Sequence, residues 1–311
     1  MTGPAVSRLL HLGTVVVDIV LDVAALPERG GDVLATRTRL TAGGGFNVMA
    51  AAARQGLPVA YAGAHGTGPF ADLALAGLAG LGAAVLLPPV TGTDTGFVVA
   101  MVDSSGERTF VTSPGAEAML TSADLAGLSA GPRDAVYLSG YALLHPANRA
   151  ALLGWLPRLD DASLLVVDPG PLGHEVPAAA LIQVLCRADW WTCNAREATA
   201  LTGCGDPADA ARALAGWTGR RGVLVRTGSS GCLLASRDEA PVPVPGFLAQ
   251  VVDTSGAGDT HTGTFVAALG AGAGATSAAR TANAAAALSV TRRGPATAPT
   301  AAELALFLAS R

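Results

Sequence analysis

Short apolar, β-branched runs that end in a polar residue and hand over to a helical pattern recur along most of this chain. That alternation restricts the possible folds more than any other feature. Residues 9–17 form such a run and end at Asp18. Similar runs at 59–63, 135–139, 164–168, 189–193 and 223–227 alternate with segments of helical spacing at 70–81, 146–156, 196–201 and 207–217. Repeated strand–helix units build a mostly parallel sheet covered by helices on both faces, an α/β, doubly wound fold. Ligands of such sheets collect outside the carboxyl ends of the strands. Asp18, Asp168, Asn194, Thr227 and Asp259 all follow predicted strands, so this reading puts them on one rim.

Two stretches break the pattern. Residues 33–41 alternate polar and apolar, as an exposed antiparallel strand does. Residues 96–103 and 108–112 flank Ser104, Ser105, Gly106 and Glu107, a hairpin signal. We read these strands as partners in a small β lid, with segments at roughly 15–42 and 93–113, on a single domain spanning 1–311. No internal repeat or shift in composition marks a further boundary.

Half of the residues are hydrophobic, only 14% are charged, and the net charge is −4, which gives no nucleic-acid-binding surface. All 20 basic residues are Arg; there is no Lys. A Walker P-loop and Schiff-base chemistry are thereby excluded. Phosphate charge must be met by backbone N–H groups, Arg or a metal. Cys186, Cys193, Cys204 and Cys232 form no CxxC pair, so free thiols in a reducing cytosol are expected rather than a zinc site. Asp18 and Asp22 interrupt the apolar stretch 9–26, which argues against a membrane span and for a cytoplasmic protein.

The segment 251–260 reads as a short strand, a glycine loop of Gly256, Ala257 and Gly258, and the start of a helix carrying Asp259. Free N–H groups at a helix start make an anion site. A carboxylate at that mouth suits phosphoryl transfer, in which the hole holds the phosphate and Asp259 takes a hydroxyl proton. Equally, Asp259 can be a first-turn carboxylate stabilised by the helix dipole. Gly43, Gly44 and Gly45 precede Asn47 at a second glycine-loop–helix junction, either a close backbone approach to a ligand or a turn with a helix-start Asn. Asn194 followed by Glu197 three residues on is almost a capping box. The run from Thr227 through Gly228 to Gly231 reads as a hairpin turn. Asp168 reads as a turn former, and Arg108 as a solvated charge more often than a ligand contact. His65, His145, His174 and His261 lack metal spacing.

Taken in order, these motifs resemble those of the ribokinase (PfkB) family of carbohydrate kinases over essentially the whole chain. The resemblance implies a ribokinase-like fold with a lid. It implies Asp259 as general base, with Gly256, Ala257 and Gly258 as the anion hole. Asp18, Gly43, Gly44 and Asn47 would bind the sugar. Asn194, Thr227, Gly228, Gly231 and Asn283 would contact ATP. Glu197 would act near Mg²⁺, and Asp253 and Ser255 correspond to the monovalent-cation (K⁺) site of some members. A homodimer through the lid is also implied. Val16 and the sequence after the third strand, at Gly63 and Ala64, depart from ribose-specific relatives. A nucleoside kinase of the same family, with Phe97 or Phe110 against the base, is the nearest alternative. A non-catalytic ligand-binding or regulatory descendant is the alternative from another class. A nicotinamide-dependent enzyme fails because residues 13–18 carry no GxGxxG.

Overall fold

The structure, a computed structural model, describes residues 6–218 and 220–311; residues 1–5 and 219 of the expected 1–311 domain lie outside it. The strands are β1 (Arg8–Leu12), β2 (Val15–Asp22), β3 (Arg37–Gly44), β4 (Val59–Tyr61), β5 (Ala84–Val85), β6 (Phe97–Val102), β7 (Arg108–Ser113), β8 (Asp134–Ser139), β9 (Leu164–Asp168), β10 (Trp190–Asn194), β11 (Gly222–Arg226), β12 (Gly231–Ala235) and β13 (Val242–Pro245). Nine of them form one sheet in the order β13-β12-β11-β10-β9-β8-β1-β4-β5. From β11 to β5 every pairing is parallel, and only β12 and β13 run antiparallel at the edge.

Burial on both faces explains why the strands read as continuous apolar runs. In β9, Leu165 and Val167 join a core cluster with Leu10, Val136 and Trp191. Their neighbours Leu164 and Val166 join another with Leu9, Trp190 and Leu224. Among the described residues no helix is long and apolar enough to cross a membrane.

The remaining strands form a separate sheet, β3-β2-β6-β7. The β2–β3 and β6–β7 pairs are antiparallel and β2–β6 is parallel. This is the lid. Its register aligns Leu40, Ile19, Val99 and Val111 across one face, and Thr41, Asp18, Val98 and Thr112 across the other.

Three expectations are corrected. The run 9–17 is two strands: β1 ends at Leu12, and after Gly13 and Thr14 the chain enters β2 in the other sheet. Apolarity continues through the junction because Val15 and Val17 are also buried, so periodicity cannot reveal the change of sheet. Asp18 consequently lies inside a lid strand, opposite Thr41, and not at the end of a core strand. The expected strand 33–41 begins instead at Arg37 and runs to Gly44, which puts Gly43 and Gly44 in β3 rather than in a loop. Residues 251–253 form no strand; the N–H groups of Val252 and Asp253 donate to Val290 O at 2.8 and 3.1 Å, at the end of helix Ala275–Ser289, instead of to a sheet neighbour.

The helix Ala257–Gly270 runs through the interior, with residues 260–267 all buried. Helix Phe46–Arg54 crosses it at Gly263, where any Cβ would collide with the Val48 carbonyl oxygen. Phe265 anchors the same helix, fully buried with its ring edge-on to Trp190 at 5.0 Å. Phe265→Ala should cost about 3–5 kcal/mol, the range for an aromatic-to-alanine cavity in a core, as read from the urea midpoint at unchanged slope.

Candidate active site

Asp259 sits in the first turn of helix Ala257–Gly270. The turn before it is made by Gly256, whose φ of +66° is a left-handed value; a Cβ there would also strike the Pro295 carbonyl. Ala257 N–H donates to Thr254 O at 3.3 Å, so it is not a free donor. Gly256, Gly258 and Asp259 have N–H groups without partners among the described residues. Because the helices cross at Gly263, their starting ends lie side by side, and Asn47 Nδ2 donates to Asp259 Oδ2 at 3.1 Å. Asn47 Oδ1 is buried with no partner. A buried, unpaired acceptor is costly unless a ligand donor meets it. Burial foremost, and the Asp168 charge next, raise the Asp259 carboxyl to about 6, although the Asn47 bond and Arg226 pull it down.

Two clefts meet here. One, of about 590 Å³, is lined by Gly256, Ala257, Gly258 and Asp259 together with Glu197 and Arg226. Gly44, Asn194, Gly228, Gly231 and Asn283 line it too. The other, of about 750 Å³, lies under the lid and is lined by Asp18, Asn47, Asp253, Ser255 and Gly256. Gly256 is shared by both. Gly43 and Thr227 line neither. Gly43 makes room for the Asp18 carboxylate, with which a Cβ at that position would collide. Thr227 N–H closes the β11–β12 hairpin on Gly231 O at 2.8 Å. Asp18 is raised to about 7 by its burial and then by the charge of Asp259 across the junction.

The capping box at Asn194 is real: its N–H donates to Glu197 Oε2 at 2.7 Å and Glu197 N–H donates to Asn194 Oδ1 at 2.8 Å. Glu197 nevertheless faces the first cleft, and burial with the nearby Asp168 charge raises its carboxyl. Asp168 uses Oδ1 in the expected turn, accepting from Gly170 N–H at 3.0 Å. Its Oδ2 accepts from Arg226 at 3.0 Å. Mg²⁺ takes few protein carboxylates and keeps several waters, so Glu197 fits that ion, whereas Asp168 is taken up by Arg226 and the Gly170 turn.

Asp253 is differently engaged. Its oxygens accept from Ser255 N–H and Oγ at 2.9 and 2.7 Å, Gly294 N–H at 3.0 Å and the Arg108 guanidinium at 2.9 Å. These donors hold the Asp253 carboxyl below its ordinary value despite partial burial. A carboxylate already satisfied by four donors, one of them cationic, does not fit a K⁺ ligand. Arg108, which also donates to Thr254 Oγ1 at 3.1 Å, is therefore no solvated charge; it ties the lid to the loop before Gly256. Asn283 spends its amide on Val244 O, Pro245 O and His261 Nε2, so it shapes the cleft wall. Phe97 stacks obliquely on Phe70 at 5.2 Å, leaving Phe110 as the aromatic in the lid cleft.

Sequence reasoning missed Arg226. It ends β11, one residue before the Thr227 loop, and donates through Nη1 to Asp168 Oδ2, to Thr192 Oγ1 at 2.6 Å and to Thr262 Oγ1 at 3.3 Å. Its Nη2 lies 3.6 Å from Glu197 Oε2. The absence of lysine was the available signal, since it leaves arginine as the cation for any phosphate.

The profile of the pfkB family carbohydrate kinases matches residues 7–302. An uncharacterized sugar kinase, YegV, of Escherichia coli K12 is 32% identical over 302 residues, covering 96% of this chain and 93% of the relative. The solved ribokinase of Thermotoga maritima superposes with a TM-score of 0.82 at 26% identity, over 98% of this chain and 99% of that one. The Arabidopsis thaliana ribokinase, solved with ribose and ATP, gives a TM-score of 0.78 at 25% identity over 99% of both chains.

Because the Asn47 bond favours the charged form of Asp259, Asn47→Ala should move the Asp259 titration above about 6. A carboxyl ¹³C NMR titration checks this, and an unmoved midpoint would contradict the geometry.

Proposed function

The chain belongs to the pfkB family of carbohydrate kinases, and from that premise we propose that it transfers the γ-phosphoryl group of ATP to a hydroxyl of a small carbohydrate bound under the lid. The observation that carries this reading is the Asp259 carboxylate, bonded to Asn47 of the lid cleft and set beside unpartnered N–H donors that open on the other cleft. Asp18 accepts from sugar hydroxyls and the second Nδ2 proton of Asn47 donates to one, while Gly43 leaves room for the Asp18 carboxylate and Gly44 lines the neighbouring cleft. Asp259 takes the proton of the acceptor hydroxyl. The hydroxyl oxygen forms the new bond to phosphorus as the bond to the ADP oxygen breaks. The N–H groups of Gly256, Gly258 and Asp259 receive the charge on the phosphoryl oxygens. Asn194, Gly228, Gly231 and Asn283 form the nucleotide walls, with Thr227 shaping the hairpin. Glu197 would hold Mg²⁺ through a water, and the ion would supply screening of the phosphate charge. The lid excludes water that would otherwise accept the phosphoryl group.

Asp259 must be ionised to act as base. With the Asp259 carboxyl raised to about 6 and that of Asp18 to about 7, kcat/KM should fall as pH drops below about 7, more steeply below about 6, and level off above about 7. Asp259→Asn should lower turnover by about 10²–10⁴ while leaving nucleotide affinity nearly unchanged. Both are read from ADP release across pentoses, hexoses, sugar acids and nucleosides. Unchanged turnover in the Asn variant sinks the base assignment, and silence across the panel favours a non-catalytic ligand-binding protein. A signal with nucleosides alone favours the second reading, a nucleoside kinase, for which the observation is Phe110 in the lid cleft.

We also propose a homodimer through the lid, a reading supported by the aligned Leu40, Ile19, Val99 and Val111 on the face away from the cleft. Leu40 is 48% and Val111 58% exposed, an apolar row that a second copy would cover. Val111→Asp should convert the dimer to a monomer in light scattering; a wild-type protein that is monomeric throughout would reject this arrangement.

A further inference from the structure

Arg226 has a divided guanidinium. Of its five N–H donors, those of Nη1 are spent on Asp168, Thr192 and Thr262. Nε has no acceptor among the described residues, and Nη2 has only Glu197 Oε2 at 3.6 Å, too long for a hydrogen bond. Neither nitrogen is among the sealed, unpartnered atoms, so this edge opens on the cleft that Arg226 lines. The flat face of the guanidinium lies against Gly258: a Cβ built there would lie 3.4 Å from Nε, Cζ and Nη2 alike, above their plane, so the Nε–Nη2 edge runs beside the helix start. Gly258 also carries one of the unpartnered N–H groups at the helix start.

Charge balance alone does not account for this arrangement. A guanidinium recruited only to neutralise Asp168 and Glu197, both within ion-pair distance, needs no unspent hydrogen-bonding edge. Here Glu197 Oε2 is already occupied by the Asn194 N–H at 2.7 Å, and one whole edge of the guanidinium remains unspent. Arg226 is also the only arginine lining this cleft among the described residues, in a chain without lysine. The planar Nε–Nη2 edge matches two oxygens of a phosphoryl group, a recognition that a lysine does not reproduce.

We propose that Arg226 is a catalytic residue that binds two oxygens of the transferred phosphoryl group through its Nε–Nη2 edge, working with the Gly258 and Asp259 N–H groups. The inference rests on the kinase reading. Asp168, Thr192 and Thr262 hold the guanidinium from behind, so its free edge is aimed before the nucleotide arrives. The acceptor hydroxyl proton still goes to Asp259, and Arg226 keeps its own protons throughout.

The test is acceptor-free calorimetry of ADP and of a β,γ-imido ATP analogue, each with Mg²⁺, on wild type, Arg226→Met and Arg226→Lys. The analogue carries the γ-phosphoryl group and ADP does not. Arg226→Met should lower the ratio of analogue to ADP affinity by tenfold or more while ADP binding stays within about threefold. Arg226→Lys should recover only part of that ratio. In turnover, Arg226→Met should lose roughly 10³-fold, the low end for an arginine acting on a transferring phosphoryl group. If Arg226→Met does not fold, Asp168→Asn/Arg226→Met removes the orphaned carboxylate charge and reads the same ratio. An unchanged ratio, or equal weakening of both nucleotides, overturns the inference and leaves the kinase reading standing. Wild-type protein that binds neither nucleotide overturns both.

Discussion

The close crossing of two helices at Gly263 is the contact on which the rest of the site depends. Helix Phe46–Arg54 follows lid strand β3, and helix Ala257–Gly270 follows the loop that leaves the far edge of the large sheet. Only a glycine at the crossing lets the Val48 backbone come so near. A glycine inside a helix costs about 1 kcal/mol relative to alanine. That loss is offset by burial of Val48, Met49 and Ala52 against Phe265 and Val266 in one cluster. The crossing also brings residues 212 apart in sequence to 3.1 Å, at Asn47 and Asp259.

Around that contact the protein concentrates carboxylates. Asp18, Asp259 and Glu197 are all raised, each chiefly by burial and further by a neighbouring carboxylate. Arg226 is the interior cation set against them, held by Asp168 and placed under Gly258. Such a site is poor in positive charge for a polyanionic ligand. On the kinase reading proposed above, backbone donors at the helix start, a divalent ion and one guanidinium would share the work that lysines do in P-loop enzymes.

Much of this was legible in the chain. Strands buried on both faces announce themselves as unbroken apolar runs, and Asp168, Asn194 and Arg226 end three adjacent ones, β9, β10 and β11. Gly256 and Asp259 were legible because left-handed turns before a helix demand glycine. The change of sheet after Leu12 was not, since both halves of the run are buried, in different sheets. The irregular segment 251–253 was misread because its donors pair with a helix end, an acceptor no local pattern reveals. Arg108 and Arg226 were passed over because a lone arginine beside a turn or at a strand end looks like surface. Their partners, Asp253 and Asp168, lie 145 and 58 residues away.

Arg108 carries a further consequence. Its guanidinium joins strand β7 of the lid to Asp253, and Asp253 in turn pins Ser255 and Gly294 on either side of the Gly256 turn. The lid is thus fastened to the very loop whose shape sets the N–H donors beside Asp259. Lifting the lid strips that carboxylate of its cation, and any disturbance of the turn loosens the fastening. The lid sheet and the turn that sets the N–H groups at the helix start are therefore joined through a single carboxylate and behave as one mechanical part.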